Sequence, residues 1–256
     1  MINNMANADE LRYDVAGGIA TITINRPESR NALNAVVRSG IRAAMDSFNA
    51  NSQARVLIIT ATGNAAFSAG ADLKEMSEEH LAIPPADFIS DLASEKPIIA
   101  AVNGAALGGG FYLVQQADLV IAATHATFGI PEARYGRGAP WAASLPLLIP
   151  PRIALELLLT AKPITAFRAQ SAGLVNFVVP AGELASMSRD LAHQVIDNAP
   201  LSVAAGKAMV RGVLKTILGD ETERARKLWE EVYLSEDAQE GPRAFKEKRA
   251  PHWRGR

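Results

Sequence analysis

Cysteine is absent from the 256 residues of the chain, which excludes disulfides, thiolate catalysis and cysteine-ligated metal. Histidine is scarce. His80, His125, His193 and His252 are scattered, with no spacing that would ligate a metal. Neither sign of charge dominates: the formal net charge is −1, which gives no nucleic-acid footprint and no polybasic membrane surface. The most apolar stretch, Pro97 to Val102 and on through Val114, is interrupted by Asn103 and by glycines. It reads as a buried strand, turn and helix rather than a membrane span. The opening MINNMANADE lacks the basic start and apolar run of a secretory signal. Together with the missing cysteine this gives a cytoplasmic protein as the expectation. No internal repeat or low-complexity tract is visible.

What is present is an ordinary globular composition, 48% apolar and 21% charged, at a length that suits one or two domains with a sizeable core. Ile19 to Asn25 alternates and stops at Arg26-Pro27, as a strand would. Asn31 can cap the following helix. That helix places Leu33, Val37, Ile41, Ala44 and Phe48 on one face. Arg55 to Ala61, Lys96 to Val102 and Asp118 to Ala123 are nearly continuous apolar runs, expected of strands covered on both sides. Strands alternating with helices over the first 180 residues or so indicate an α/β architecture with a largely parallel sheet. From Ile153 onward the chain reads as mostly helical, with a helix after Pro200 and an amphipathic one over Glu221 to Leu234 that carries Leu228, Trp229, Val232 and Tyr233. Ser77 to Pro85 reads as a loop. Gly241 to Arg256 is basic and holds Phe245 and Trp253.

Three segments can carry chemistry. Ala66 to Lys74 (AFSAGADLK) follows a strand and opens a helix, and its small residues let a ligand approach the main chain. Amides at a helix start point outward and suit developing negative charge. Ala105 to Gly110 (AALGGG) has the same form, and glycines inside a helix would each cost about 1 kcal/mol against alanine. Each turn alone is equally compatible with tight packing. A dinucleotide site would need a G-x-G-x-x-G turn, which neither supplies. In TFGIPEARYGRG (127–138), Glu132 stands in an apolar, turn-rich setting where desolvation raises a carboxylate's basicity. The same glutamate is also compatible with a surface helix cap. Ser68 is not in a G-x-S-x-G nucleophile elbow.

Taken in order, NRPESRNALN (25–34), AFSAGADLKEM (66–76), KPIIAAVNGAALGGGF (96–111), ADLVIAATHATFGIPE (117–132), LLLTAKPITAFRAQSAGLVNFVVP (157–180) and EGPRAFKEKRAPHWRGR (240–256) resemble the crotonase, or enoyl-CoA hydratase/isomerase, family. The resemblance implies a spiral of ββα repeats over residues 9–195 and a C-terminal helical region, 196–256, that builds trimers or pairs of trimers. It implies an acyl-CoA thioester substrate, with coenzyme A as carrier and no redox or metal cofactor. The amides of Ala71 and Gly109 would hold the thioester oxygen. Ala69, Asp72, Leu73 and Lys74 would lie along the coenzyme A path, with Arg30 facing its phosphates. Phe245 and Lys248 match positions that reach the adenosine end from a neighbouring subunit.

Two departures stand out. Hydratases of the family use a glutamate two residues after the glycine turn together with the one at Glu132; here the first position is Tyr112. A phenol with an ordinary pKa of about 10 is a poor base at neutral pH but can donate a hydrogen bond, and pocket lining is the plainer role. After Glu132 the chain reads ARYGRGAPWAAS, where Tyr135, Arg137 and Trp141 can narrow or polarise an acyl pocket. Arg137 can pair with Glu132 and lower its pKa, or meet an acidic substrate. One carboxylate suits a double-bond shift or an atypical hydration of an enoyl-CoA. Hydratase-lyase, thioester hydrolase and decarboxylase chemistry stay open, as does a non-catalytic acyl-CoA-binding subunit.

Overall fold

The apolar run at Val56–Ala61 forms a strand whose two faces enter two different cores. Leu57 and Ile59 point into the main core, whereas Val56 and Ile58 point to the opposite side of the sheet. The pleat sends alternate residues to opposite faces, so a strand covered on both faces shows no polar alternation. The computed structural model describes residues 10–72, 75 and 92–256. Leu73 and Lys74, the helix start expected there and the Ser77 to Pro85 loop lie outside the described residues.

The strands are β1 Leu11–Ala16, β2 Ile19–Ile24, β3 Val56–Ala61, β4 Ala66–Ser68, β5 Ile98–Val102, β6 Ala105–Leu107, β7 Leu119–Ala123, β8 Thr127–Gly129, β9 Ile164–Thr165 and β10 Phe177–Val179. The helices are α1 Ala35–Ala50, α2 Gly109–Gln116, α3 Pro151–Thr160, α4 Ala166–Ser171, α5 Leu184–Ile196, α6 Pro200–Leu218, α7 Glu221–Leu234 and α8 Glu236–Lys246. A six-stranded sheet has the order β1-β2-β3-β5-β7-β10, and a four-stranded sheet has the order β4-β6-β8-β9. Among the described residues β1/β2 and β8/β9 pair antiparallel and the other strand pairs run parallel.

Each of the pairs β3/β4, β5/β6 and β7/β8 sends its first strand to the large sheet and its second to the small one. This is the arrangement of ββ pairs spiralling between two sheets that the resemblance implies. The sequence shows no repeat because the second strands are three residues long, too short to display a period. The main core fills the space between the sheets, α1 and α2, and includes Phe48, Phe67, Phe111 and Phe128. On the far side of the large sheet, α5 covers Val56, Ile58, Ile99 and Ile121 with Leu184, Leu191 and Ala192.

The capping residue of α1 is Asn34, not Asn31. The Asn34 side chain accepts from Val37 N. Leu33 precedes the helix, although it is buried as expected. Asn31 is itself buried in the left-handed region (φ 54°). It donates to Thr62 O at 3.0 Å and Ala66 O at 2.7 Å, and accepts from Arg26 N at 2.9 Å. It fastens the 26–33 loop to the strand end that leads into the first glycine turn.

The C-terminal helices divide in role. All the side chains of α6 are at least partly exposed, with Leu201, Met209, Val210, Val213 and Ile217 strongly so. By contrast α7 and α8 return to the core and cover the stretch from 132 to 147.

Candidate active site

The two small-residue turns meet. Gly70 sits at φ +90°, and a β-carbon there would lie 2.9 Å from Leu107 O and 3.0 Å from Gly109 N. Only glycine tolerates both the dihedral and the approach. The first turn is tied on three sides: Leu33 N donates to Gly70 O at 2.8 Å, Ala69 N to Arg30 O at 3.0 Å, and Gly70 N to Ser68 Oγ at 3.2 Å. Ser68 is fully buried in this structural role. Ala71 follows, and its amide has no acceptor among the described residues.

The second turn is held by Gly108 N, which donates to Gly129 O at 3.0 Å. Gly110 packs against Ser68 so closely that a β-carbon would overlap its backbone carbonyl. Gly109 is the first residue of α2. Its N–H falls before the intrahelical ladder begins and likewise has no acceptor among the described residues. Two amides at neighbouring turns, one at the positive end of a helix, are of the chemical type that can receive an anionic oxygen.

Glu132 lies beside them. A β-carbon on Gly108 would fall 2.9 Å from its Oε1. The residue keeps part of its surface toward the cleft, but Oε2 is buried without a hydrogen-bond partner. Burial pushes the carboxyl from 4.5 up to about 8, against a small lowering by its own backbone. An ion pair with Arg137 does not occur. The Arg137 guanidinium instead lies 5.0 Å from the Tyr233 ring centroid, while its backbone N donates to Glu132 O at 3.0 Å. Of the two directions the sequence left open for Glu132, the lowering through an Arg137 pair is corrected: desolvation dominates and raises it.

A cleft of about 1110 Å³ runs over this ground, and Ala69, Ala71, Gly109, Tyr112, Glu132 and Trp141 all line it. Tyr112 stands one helical turn beyond Gly109, its ring tilted against Trp141 at 5.7 Å. Arg30 and Asp72 also reach the cleft. Arg30 has φ 51°. Asp72 is engaged by Arg26 at 2.9 Å, which also meets Glu10 at 3.2 Å, so its charge serves the loop as well. Phe245 lines the cleft of its own chain, edge-on to Tyr135 at 5.5 Å. Lys248, exposed just beyond α8 at φ 55°, is outside the lining. Sequence reasoning gave Gly70 and Tyr233 no role in the site. Tyr233 was visible only as an aromatic on an amphipathic helix.

The model for enoyl-CoA hydratase/isomerase matches residues 14–256. The chain belongs to the enoyl-CoA hydratase/isomerase family. It is 40% identical to a carnitinyl-CoA dehydratase of Salmonella typhi over 97% of this chain and 100% of that protein. Among solved structures it is similar to a carnitinyl-CoA hydratase from Mycobacterium avium (39% identity, TM-score 0.87, covering 97% of this chain and 99% of the other). It is also similar to an enoyl-CoA hydratase from Mycobacterium tuberculosis H37Rv (32% identity, TM-score 0.81, 89% and 100%). The chain is thus an enzyme of this acyl-CoA family. Among the described residues no helix is long and apolar enough to cross a membrane.

Proposed function

We propose that the chain transforms an enoyl-CoA with a single carboxylate, shifting a double bond or hydrating it atypically. The observation that carries this is Glu132, set against the turn that presents the Gly109 amide with Oε2 buried, while Tyr112 stands where a second glutamate would divide the work. In the double-bond shift, ionised Glu132 takes a proton from the carbon next to the thioester carbonyl of a 3-enoyl-CoA. The electron pair moves onto the carbonyl oxygen, which accepts from the Ala71 and Gly109 amides. The same carboxylic acid then returns the proton two carbons away, leaving a 2-enoyl-CoA. Preorganised donors of this kind contribute about 3–4 kcal/mol each to such transition states. A base with a pKa near the working pH is strong yet still partly ionised.

Arg30, Ala69, Asp72, Leu73 and Lys74 supply the coenzyme A path in this reading. Phe245 contributes from its own chain, and Lys248 serves the nucleotide end in a neighbouring protomer. The exposed apolar side chains of α6 support self-association as a trimer or pair of trimers, which light scattering would measure. The chemical test is Glu132→Gln with 3-enoyl- and crotonyl-CoA. Turnover is expected to fall at least 1000-fold while acyl-CoA affinity stays within threefold. Full activity in that variant would remove the assignment.

A further inference from the structure

The orientation of the Glu132 carboxylate is not secured by hydrogen bonds at Oε2, which has none. Its direction therefore follows from its backbone, a single 3-10 turn at Glu132–Tyr135 closed by Gly136 in the left-handed region. Such a turn has few bonds of its own. Against it pack α8 and α3, while α7, about one hundred residues later in the chain, covers the Arg137–Gly138 stretch that follows it. Tyr233 Oη donates to Gly138 O at 3.0 Å, in a buried position. Gly138 lies under Trp229, where a β-carbon would come within 2.9 Å of the indole. Gly136 abuts the Asp237 carbonyl and Gly241 abuts the Tyr135 carbonyl, both with no room for a β-carbon. The Arg137 guanidinium lies on the Tyr233 ring.

We propose that Tyr233 is a positioning residue: through its hydrogen bond to Gly138 and its ring against Arg137, helix α7 fixes the turn that aims Glu132 over Gly108. This rests on the reading of Glu132 as the acid/base. It assigns to the C-terminal helices a part in the chemistry of their own chain that is separate from assembly. A turn released from α7 would let the carboxylate swing away from the substrate carbon while leaving the coenzyme A path untouched.

The test compares full-length wild type with Tyr233→Phe, which keeps the ring, and Tyr233→Leu, which loses it. For 3-enoyl-CoA isomerisation, kcat is expected to fall about 5- to 20-fold in the first and at least 50-fold in the second, with KM within twofold. The deuterium isotope effect at the carbon next to the carbonyl should grow as proton removal becomes limiting. Gly138→Ala, whose β-carbon would press on the Trp229 indole, should lower kcat at least 5-fold with the same growth of the isotope effect. A wild-type kcat and isotope effect in Tyr233→Phe would overturn the proposal. So would losses that track melting temperature alone with the isotope effect unchanged. Wild type that turns over no thioester would instead remove the Glu132 reading itself.

Discussion

Replacing Glu132 by glutamine should change how stability depends on pH, whatever the substrate is. In the fold burial holds this carboxyl protonated up to about 8, against 4.5 in ordinary surroundings. The unfolded chain therefore releases a proton that the folded chain keeps. A group whose folded pKa is raised gives its full stability below the unfolded value and loses it as pH climbs through the folded value. The window is thus roughly pH 4.5 to 8. Each pH unit inside it costs the fold about 1.4 kcal/mol, so wild type loses on the order of 4 kcal/mol between pH 5 and pH 9 through this one side chain. Glutamine has no proton to lose. Its amide meets the same dry pocket at every pH, so it adds a constant offset and no slope. At about 2–4 °C per kcal/mol for a chain of this size, the melting temperature of Glu132→Gln should gain roughly 8–16 °C on wild type from pH 5 to pH 9. The assay is thermal melting of both proteins in matched buffers across that range. Parallel curves would refute the reasoning, because they would mean that Glu132 ionises in the fold as easily as in water.

Other consequences follow from the same geometry. Gly70→Ala forces a β-carbon toward Leu107 O and Gly109 N at a dihedral that disfavours it; kcat/KM should drop about 100-fold or more, and steady-state kinetics on a soluble, folded variant checks it. Tyr112→Glu places a second carboxylate one turn along α2 and should raise the ratio of hydration to isomerisation at least tenfold; an unchanged product ratio would sink the single-carboxylate reading. Asn31→Ala removes three hydrogen bonds, one of them fully buried, and should cost about 3 kcal/mol, whereas Asn34→Ala removes one helix cap and should cost about 1 kcal/mol. Urea denaturation of the two variants measures the difference, and the reverse order would contradict the anchoring role of Asn31.

Much of the candidate site is legible in the sequence because its residue types are unusual. Glycines that would weaken a helix marked Gly108 to Gly110, and a carboxylate among apolar residues marked Glu132. The strands β3 and β5 declared themselves as continuous apolar runs because both of their faces are covered. The amphipathic α7 was placed at its observed bounds, Glu221–Leu234, since its period is long enough to read. Asn31 reads as a cap because the residue types that cap helices also tolerate the left-handed backbone it adopts, and its burial in the fold tells the two apart.

The family, the α/β class and the identity of the turn residues thus lie in the sequence, where local spacing and residue chemistry carry them. The closeness of Gly70 to Gly109, the carboxylate over Gly108 and the grip of Tyr233 on Gly138 do not. They join residues that are from about twenty to one hundred positions apart, and no local pattern encodes such distances. The sign of the Glu132 shift was likewise a tertiary matter. The sequence shows an arginine five residues away, but only the fold turns that arginine onto Tyr233 and leaves desolvation to set the proton.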